Sequence, residues 1–285
     1  MERLKIAIQK KGRLSEDSLQ LIKDCGVHFN SSSRVLRAES SNFPIEFLFL
    51  RDDDIPSYVY DGVADIGIVG RNEHDEQNFP LDIVRDLGFA KCRLSIAVPN
   101  EFEYDSVKSL EGKRIATSYP TILGKYLKEN GVNSRVYEIS GSVEITPSVG
   151  VSDAICDLVS TGATLASNGL KEVDAFYTST AVMIAHPDLP SEKKEILDRL
   201  LMRMDAVRKA MDYKYIMFNL PKKHLSEVAG IIHGMKSPTV TPLVDDQWVS
   251  VQTVVLEDLF WDVLEKLKAL GAQGILVTAI EKMAD

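Results

Sequence analysis

Residues 153–170, DAICDLVSTGATLASNGL, have the types and spacing that suit the capture of a phosphorylated sugar. An apolar run at residues 154–159, broken by Asp157, predicts a short buried strand that leads into a helical pattern. The hydroxyls after it can donate to phosphate oxygens, a glycine lets the backbone approach closely, and the free N–H groups of a helix start attract anions. Asp157 would then lie beside the phosphate, where its carboxylate can accept hydrogen bonds from sugar hydroxyls. The loop residues are Ser160, Thr161, Gly162, Ala163 and Thr164.

The same loop has a simpler interpretation. Ser and Thr before a helix are ordinary N-caps, and Gly is an ordinary turn residue. Taken alone, the loop is therefore equally consistent with a plain strand-to-helix connection. The other segments of the chain have to decide between the two interpretations.

Basic side chains follow two predicted strands near the N-terminus. Lys10, Lys11 and Arg13 come directly after the apolar run at residues 4–8, and Arg51 follows the run at residues 45–50. Open α/β folds place ligand contacts just past the strand ends. Since the formal net charge is −9, a chain that binds polyanions has to concentrate positive charge locally. We therefore predict ligand contacts at these positions, with solvated loop charges as the alternative.

Alternating apolar runs and helical patterns predict an α/β organisation with a mostly parallel sheet. We expect a first lobe at residues 1–92, completed by residues 180–211, and a second lobe at residues 93–179 that contains the small-residue loop. From residue 212 to residue 285 the order becomes βαββαβ, which is ferredoxin-like. The acidic residues 52–54 are expected to cap the next helix, and a metal cluster is the weaker alternative.

Composition excludes several classes of function. The 285 residues are 45% hydrophobic and 26% charged, which is ordinary for a globular protein with two or three domains. No apolar run approaches the roughly 18 residues of a membrane span, and the first residues do not resemble a signal peptide. The negative net charge, without a basic patch that contains aromatic residues, argues against nucleic acid. We expect a cytoplasmic protein that binds neither membrane nor nucleic acid.

The cysteines and histidines predict no metal or nucleophile. Cys25, Cys92 and Cys156 lie far apart and lack the paired spacing of a zinc site. A nucleophilic role for Cys156 beside Asp157 is conceivable, but its place in an apolar strand favours packing. The histidines are equally scattered, at His28, His74, His186, His224 and His233.

Six ordered segments resemble the ATP phosphoribosyltransferase family, which opens histidine biosynthesis. They are IAIQKKGRLSEDS at 6–18, RDDDIPSYV at 51–59, DGVADIGIVG at 61–70, GKRIATSYP at 112–120, GSVEITP at 141–147, and the loop DLVSTGATL followed by NGL. Residues 259–277, LFWDVLEKLKALGAQGILV, are similar to the regulatory domain of the long form of the family. The resemblance covers the whole chain, and six ordered segments are far harder to obtain by chance than one loop.

The resemblance implies a fold and a reaction. The catalytic part would be bilobal, like type II periplasmic binding proteins, and an ACT-like domain would follow it. N1 of the ATP adenine would displace pyrophosphate at the anomeric carbon of phosphoribosyl diphosphate. Mg²⁺ carried by the pyrophosphate would offset part of the charge without dedicated protein ligands. Histidine would inhibit from the C-terminal domain, between subunits, and the chain would form homo-hexamers with smaller active forms.

Each candidate residue then has an expected role. The 5′-phosphate is assigned to residues 160–164, and the ribose hydroxyls to Asp157 with Glu144. The pyrophosphate or ATP phosphates are assigned to Lys10, Arg13 and Arg51, of which the two arginines are expected to be catalytic. Weaker candidates for the cleft are Asp65, Gly67 and Tyr119, since Asp65 could equally be a strand-end cap and Tyr119 plain packing. Backbone groups near Met235, Ser237, Thr239, Gly274 and Leu276 are expected to bind histidine.

Two other functions remain open. A non-catalytic binder of small molecules with the same bilobal fold would also have a cleft, but the phosphate loop and the lack of an export signal count against it. Prephenate dehydratase also joins a bilobal catalytic part to an ACT domain, yet its Thr-Arg-Phe motif is absent from this sequence. Release of pyrophosphate from phosphoribosyl diphosphate only in the presence of ATP would separate the three.

Overall fold

The computed structural model describes residues 2–30, 35–232 and 237–284. The chain divides into two compact units. The first comprises Met1–Gln20 with Val27–Leu197, and the second comprises Leu21–Gly26 with Asp198–Asp285. The second unit therefore begins before residue 212, where the sequence pattern places the start of the C-terminal domain.

The first lobe of the first unit alternates strands and helices. Its elements are β1 (Leu4–Gln9), α1 (Arg13–Asp24), β2 (Arg37–Glu39), β3 (Ile45–Leu50), α2 (Ile55–Tyr60), β4 (Ile66–Gly70), α3 (Arg71–Gln77) and β5 (Asp82–Asp86). β1 is parallel to both β3 and β4. These three strands are nearly continuous apolar runs with buried side chains, as expected for a sheet that is covered on both faces.

The second lobe has its own five-stranded sheet. Its elements are β6 (Cys92–Pro99), β7 (Arg114–Thr117), α4 (Pro120–Glu129), β8 (Arg135–Glu138), β9 (Ala154–Val159), α5 (Ala163–Ser167) and β10 (Leu170–Ser179). The sheet order is β10-β6-β9-β7-β8. β7 is parallel to β8 and β9, whereas β6 is antiparallel to β9 and β10. The carboxyl ends of β7 and β9 therefore lie at one edge of this sheet.

The chain then returns to the first sheet, and the helix that follows extends from the first unit into the second. β11 (Ala181–Ala185) is inserted between β4 and β5, antiparallel to β4, and α6 (Ser191–Met211) follows. The first sheet thus has the order β2-β3-β1-β4-β11-β5. β11 is buried along its whole length because it is an interior strand.

The second unit contains the predicted βαββαβ order. Its elements are β12 (Tyr213–Pro221), α7 (Leu225–Ile231), β13 (Thr239–Pro242), β14 (Trp248–Leu256), α8 (Phe260–Ala269) and β15 (Gln273–Ala279). All pairings in the sheet are antiparallel, in the order β13-β14-β12-β15. Phe218, Val251, Val263 and Leu267 belong to its buried core, so one face of α8 packs on the sheet.

The start of α2 differs from the prediction. Asp54 occupies the N-cap position of α2, but its side chain makes no capping hydrogen bond. Asp53 instead pairs with Arg51 at 3.0 Å. The predicted capping role of residues 52–54 is therefore wrong, and these carboxylates lie beside a basic strand end.

Candidate active site

The small-residue loop lies where β9 ends and α5 begins. Gly162 is the N-cap residue of α5 and has φ of 79°, a left-handed conformation that residues with a side chain rarely adopt. Ser160, Thr161, Ala163 and Thr164 are exposed. Among the residues that the structure describes, no protein acceptor takes a hydrogen bond from the hydroxyl of Ser160 or Thr164. The loop therefore presents hydroxyl donors to solvent.

Arg93 fixes the first residue of this loop, and sequence analysis missed it. Its Nη1 donates to the carbonyl of Ser160 at 3.1 Å, while Nε and Nη2 donate to the two carboxylate oxygens of Glu172 at 2.5 and 2.6 Å. The fully buried Ser95 donates to the same carboxylate at 2.7 Å. The hydrogen bonds from Arg93 hold the pKa of Glu172 below its usual range. The one available signal was an arginine at the start of the strand that pairs with β9.

Asp157 and Glu144 lie close enough to interact electrostatically. Asp157 is half-buried on β9, and Glu144 is in the short 3-10 helix Val143–Ile145. Burial raises the pKa of Asp157 to about 6; the Leu158 N–H, at 2.7 Å from its carboxylate, opposes this rise, and the charge of Glu144 adds to it. A half-buried carboxylate with a raised pKa is typical of a functional position. The two side chains that were predicted to contact ribose are thus brought together.

The basic side chains lie at the carboxyl edge of the first sheet. The Lys10 N–H donates to the carbonyl of Leu50 at 2.8 Å, so Lys10 and Arg51 leave neighbouring strand ends. Arg13 begins α1 and, like Lys10, is exposed. The pair between Arg51 and Asp53 has both side chains largely in solvent, so it contributes little and leaves Arg51 available to an anionic ligand.

Tyr119 connects the two lobes. It is the N-cap residue of α4, just past β7, and it is 9% exposed. Its hydroxyl donates to Glu73 of α3 at 3.1 Å and accepts from the side-chain amide of Asn72 at 3.3 Å. Burial raises the pKa of Tyr119, and the charges of Glu73, Asp157 and Asp52 raise it further. The hydroxyl thus contacts α3 of the first lobe and is influenced by the charge of Asp157 in the second, so the carboxyl edges of the two sheets face one cleft.

Asp65 and Gly67 do not belong to this cleft. Asp65 precedes the amino end of β4, about 16 Å along the sheet from its carboxyl edge. Its carboxylate accepts from the Lys5 N–H at 2.8 Å and from Lys193 Nζ at 2.9 Å. Gly67 is buried beneath α2, where an added Cβ would approach Ile55 to 2.5 Å. The structure thus gives both residues contacts within the fold: Asp65 joins the starts of β1 and β4 and pairs with Lys193, and Gly67 lets α2 pack closely on the sheet.

The residues predicted to bind histidine do not meet within one chain. β13 and β15 are opposite edges of their sheet. Thr239 on β13 and Leu276 on β15 therefore lie three strand spacings apart, about 14 Å. Ser237 and Gly274 lie beside the same two edges, and Met235 is outside the described residues. One copy of the chain does not bring these positions into a single pocket.

Other features of the described chain add no further chemistry to the cleft. Burial raises the pKa of Cys156, which keeps the thiol protonated and agrees with a packing role. No described group of three or more His, Cys, Asp or Glu side chains is arranged to hold a metal ion. None of the described helices combines the length and apolar character needed to cross a membrane. A cavity beside α4, lined by residues that include His74, Tyr126, Phe176 and Tyr177, contains none of the predicted site residues.

Comparison with known proteins gives full-length relatives. A family model described as ATP phosphoribosyltransferase matches residues 51–206, and one described as HisG, C-terminal domain, matches residues 210–282. The ATP phosphoribosyltransferase of Cytophaga hutchinsonii is 55% identical over 280 residues, or 98% of each chain. The enzyme of the same name from Bacteroides fragilis is 52% identical over 280 residues, which cover 98% of this chain and 99% of the relative.

Solved structures agree. A chain from the ATP phosphoribosyl transferase (HisG:HisZ) complex of Thermotoga maritima is 31% identical, with a TM-score of 0.61, and the match covers 71% of this chain and 96% of that one. The substrate binding protein of an amino acid ABC transporter shares only the fold, at 13% identity and a TM-score of 0.50 over 73% of this chain and 93% of that one. The chain belongs to the ATP phosphoribosyltransferase family of pentosyltransferases, in the form that carries the C-terminal domain.

Proposed function

We propose that this chain transfers the phosphoribosyl group of phosphoribosyl diphosphate to N1 of the ATP adenine and releases pyrophosphate, as the first step of histidine biosynthesis. The observation that carries the proposal is that two groups of residues suited to bind phosphate lie at two different sheet edges. The exposed hydroxyl loop lies at the carboxyl edge of the second lobe, and Lys10, Arg13 and Arg51 lie at the carboxyl edge of the first. Phosphoribosyl diphosphate has a 5′-phosphate at one end and a diphosphate at the other, so one molecule suits both edges.

The 5′-phosphate is assigned to the loop at residues 160–164. The left-handed backbone at Gly162 turns the chain so that hydroxyl and N–H donors can converge on one anion. The bond from Arg93 to the Ser160 carbonyl supports this assignment, because it immobilises the loop before the ligand arrives. Less conformational freedom then has to be lost on binding.

The ribose hydroxyls are assigned to Asp157, with Glu144 as a second partner. Two hydroxyl donors would relieve the unfavourable burial of the Asp157 carboxylate, since hydrogen bonds to the charged form stabilise it. Binding should therefore favour the ionised carboxylate. With the 5′-phosphate on the loop and the ribose hydroxyls on Asp157, the anomeric carbon of the sugar would face the first lobe.

The pyrophosphate is assigned to the cations of the first lobe. As the bond to the anomeric carbon breaks, negative charge grows on the leaving group, and Arg13 and Arg51 are placed to stabilise that charge. Lys10 is assigned to the same pyrophosphate or to the ATP phosphates. Mg²⁺ enters as part of the substrate, bound to the pyrophosphate oxygens, and takes up a further share of the charge.

The adenine N1 is a poor nucleophile, so alignment is the main task of the protein. Holding both substrates in one cleft turns an encounter between two molecules into a reaction within one complex. Tyr119 lies among carboxylates of both lobes and is the candidate side chain for the border between the two substrates. No covalent intermediate is required.

The C-terminal domain is proposed to bind histidine and to inhibit the reaction from there. Because Thr239 and Leu276 lie on opposite sheet edges, the site would need β13 of one copy and β15 of another. This arrangement supports the family expectation of a homo-oligomer, a hexamer with smaller active forms. Histidine binding and assembly would then be linked.

The test is pyrophosphate release from phosphoribosyl diphosphate and Mg²⁺, measured with and without ATP. We expect release only with ATP, together with a product that contains the adenine and the phosphoribosyl group. Release without ATP would indicate a hydrolase. Ligand binding without any release would favour a non-catalytic binder of the same fold.

A further inference from the structure

Helix α3 of the first lobe caps helix α4 of the second. The two carboxylate oxygens of Glu76 accept hydrogen bonds from the N–H groups of Thr121, at 2.7 Å, and Ile122, at 3.0 Å. α4 starts with Pro120, which has no N–H, and its N-cap residue Tyr119 makes no side-chain capping bond. The first free N–H groups of α4 are thus satisfied by a residue 45 positions earlier in the chain.

Three neighbours of Glu76 make further bonds to the second lobe. Glu73 accepts from the Tyr119 hydroxyl at 3.1 Å, and Asp75 accepts from the Tyr177 hydroxyl at 2.7 Å. The buried Asn72 accepts from Ser179 Oγ at 2.7 Å, at the point where β10 ends. We call these four residues of α3 the α3 clasp: Asn72, Glu73, Asp75 and Glu76.

The α3 clasp brings acidic side chains together at an electrostatic cost. Burial raises the pKa of Glu73 to about 7, and the charges of Asp52, Asp53 and Glu76 contribute to that rise. The bonds to the second lobe oppose this repulsion. Glu76 contributes two of these bonds, since both of its oxygens are used, and its charge faces the positive start of a helix.

We propose that the α3 clasp sets the separation between the phosphate loop and the basic edge of the first sheet, with Glu76 as its positioning residue. α3 follows β4 directly, and β4 is the parallel neighbour of β1, after which Lys10 and Arg13 come. α4 follows β7, the parallel neighbour of β9, which leads into the phosphate loop. Glu76 therefore joins the two elements that hold the two ends of the cleft.

This inference rests on the proposed function, in which one phosphoribosyl diphosphate contacts both lobes. It makes a distinction between ligands. Ribose 5-phosphate has the end that the second lobe binds and lacks the diphosphate, so its affinity should not depend on the α3 clasp. Phosphoribosyl diphosphate reaches both lobes, so its affinity should change with their separation.

The experiment compares the wild type with Glu76→Ala and Glu76→Gln. For each, the Kd of ribose 5-phosphate, the Kd of phosphoribosyl diphosphate with Mg²⁺, and kcat are measured. We expect Glu76→Ala to leave the first Kd within about twofold and to raise the second about tenfold or more, with a lower kcat. Glu76→Gln keeps one oxygen acceptor and should be intermediate. The matched control is Glu129→Ala, at the exposed far end of α4.

Two results would overturn the inference. If both ligands weaken in parallel, Glu76 supports the fold of the second lobe rather than its separation from the first. If neither Kd nor kcat changes in a folded Glu76→Ala variant, the α3 clasp has no positioning role. A wild-type chain that releases no pyrophosphate with ATP would instead overturn the proposed function, and this inference with it. That result differs from the other two because it is measured on the wild type alone.

Discussion

The Arg93 guanidinium and the Glu172 carboxylate form two parallel hydrogen bonds, at 2.5 and 2.6 Å. Such a fork-to-fork pair fixes the plane of the guanidinium as well as its position. The remaining nitrogen then reaches the Ser160 carbonyl. The first residue of the phosphate loop is therefore held from β6 and β10 at once.

We expect Arg93→Lys to raise the KM for phosphoribosyl diphosphate about tenfold with a smaller change in kcat. Lysine keeps the charge but cannot make the two parallel bonds, so the loop carbonyl loses its fixed donor. Steady-state kinetics with saturating ATP would measure both constants.

A matched control exists in the same sheet. Arg114 makes a comparable pair with Asp153, at 2.8 and 3.2 Å, and donates to the Gly150 carbonyl at 2.8 Å, but it lies at the amino end of β7. Arg114→Lys should leave the KM unchanged. Equal effects of the two substitutions would show that Arg93 acts through general stability.

Thr161→Val should weaken the binding of phosphoribosyl diphosphate about tenfold or more. The volume hardly changes, but one donor to the phosphate is lost, and a hydrogen bond to a charged group contributes roughly 1.5–3 kcal/mol. Calorimetric titration would give the affinity, with the exposed Thr178→Val on β10 as the control. Unchanged affinity in a folded Thr161 variant would remove this hydroxyl from the site.

The sequence predicted the elements that contain the site because their patterns are local. Residues 4–8, 45–50 and 154–159 are apolar runs, and the strands found there are β1, β3 and β9. β10 was not predicted, because charged and aromatic residues mix along it and two register shifts break the alternation of buried and exposed side chains. β10 supplies Glu172, so the support of the phosphate loop was missed with it.

The α3 clasp could not be predicted for a different reason. Acidic residues on a short helix ordinarily indicate a solvated face. The partners of these acidic residues lie 45 to 102 residues further along the chain, and no local sequence pattern predicts such a contact. The position of Asp65 could not be predicted for a related reason: a carboxylate beside a strand looks the same at either end of the strand, and only the register shows at which end it lies.

Asp157→Asn should stabilise the fold while it impairs turnover. The pKa of Asp157 rises from 3.8 to about 6 on folding, so the native state binds the proton more tightly than the unfolded state. The contribution of this group to the free energy of unfolding therefore falls as the pH rises from about 4 to 6 and stays low above that. Asparagine does not ionise, and its carbonyl oxygen can still accept from the Leu158 N–H.

The measurement is denaturant unfolding of both proteins at pH 4, 6 and 8. At pH 8 the variant should be more stable by on the order of 1 to 3 kcal/mol, and the difference should shrink toward pH 4. A variant that is less stable at pH 8 would contradict the assignment of the raised pKa to this carboxylate.

Thr239→Arg and Leu276→Arg should each abolish inhibition by histidine and leave turnover intact. Each places a bulky cation on one of the two sheet edges that are proposed to meet between copies. Initial rates over a range of histidine concentrations would measure this, with mass measurement to follow assembly. Persistent inhibition at the original concentration would exclude the proposed site.

Mixing the two variants sharpens the test. An interface between an unaltered β13 edge from one chain and an unaltered β15 edge from the other restores a complete site, so co-assembled chains should regain partial inhibition. No recovery in confirmed mixed oligomers would indicate a site within a single copy.

The insertion of β11 between β4 and β5 also bears on synthesis. The second lobe has all its strands once Ser179 has been made, and the first residue of β6, Cys92, pairs with the last residue of β10, Ser179. The first sheet is not complete until Ala181–Ala185 follow, because β5 pairs with β11. Protease protection of stalled chains should accordingly appear at residues 92–179 before it appears at residues 82–86. During synthesis the second lobe can therefore fold while the first sheet, whose other strands were made earlier, still lacks β11, its interior strand.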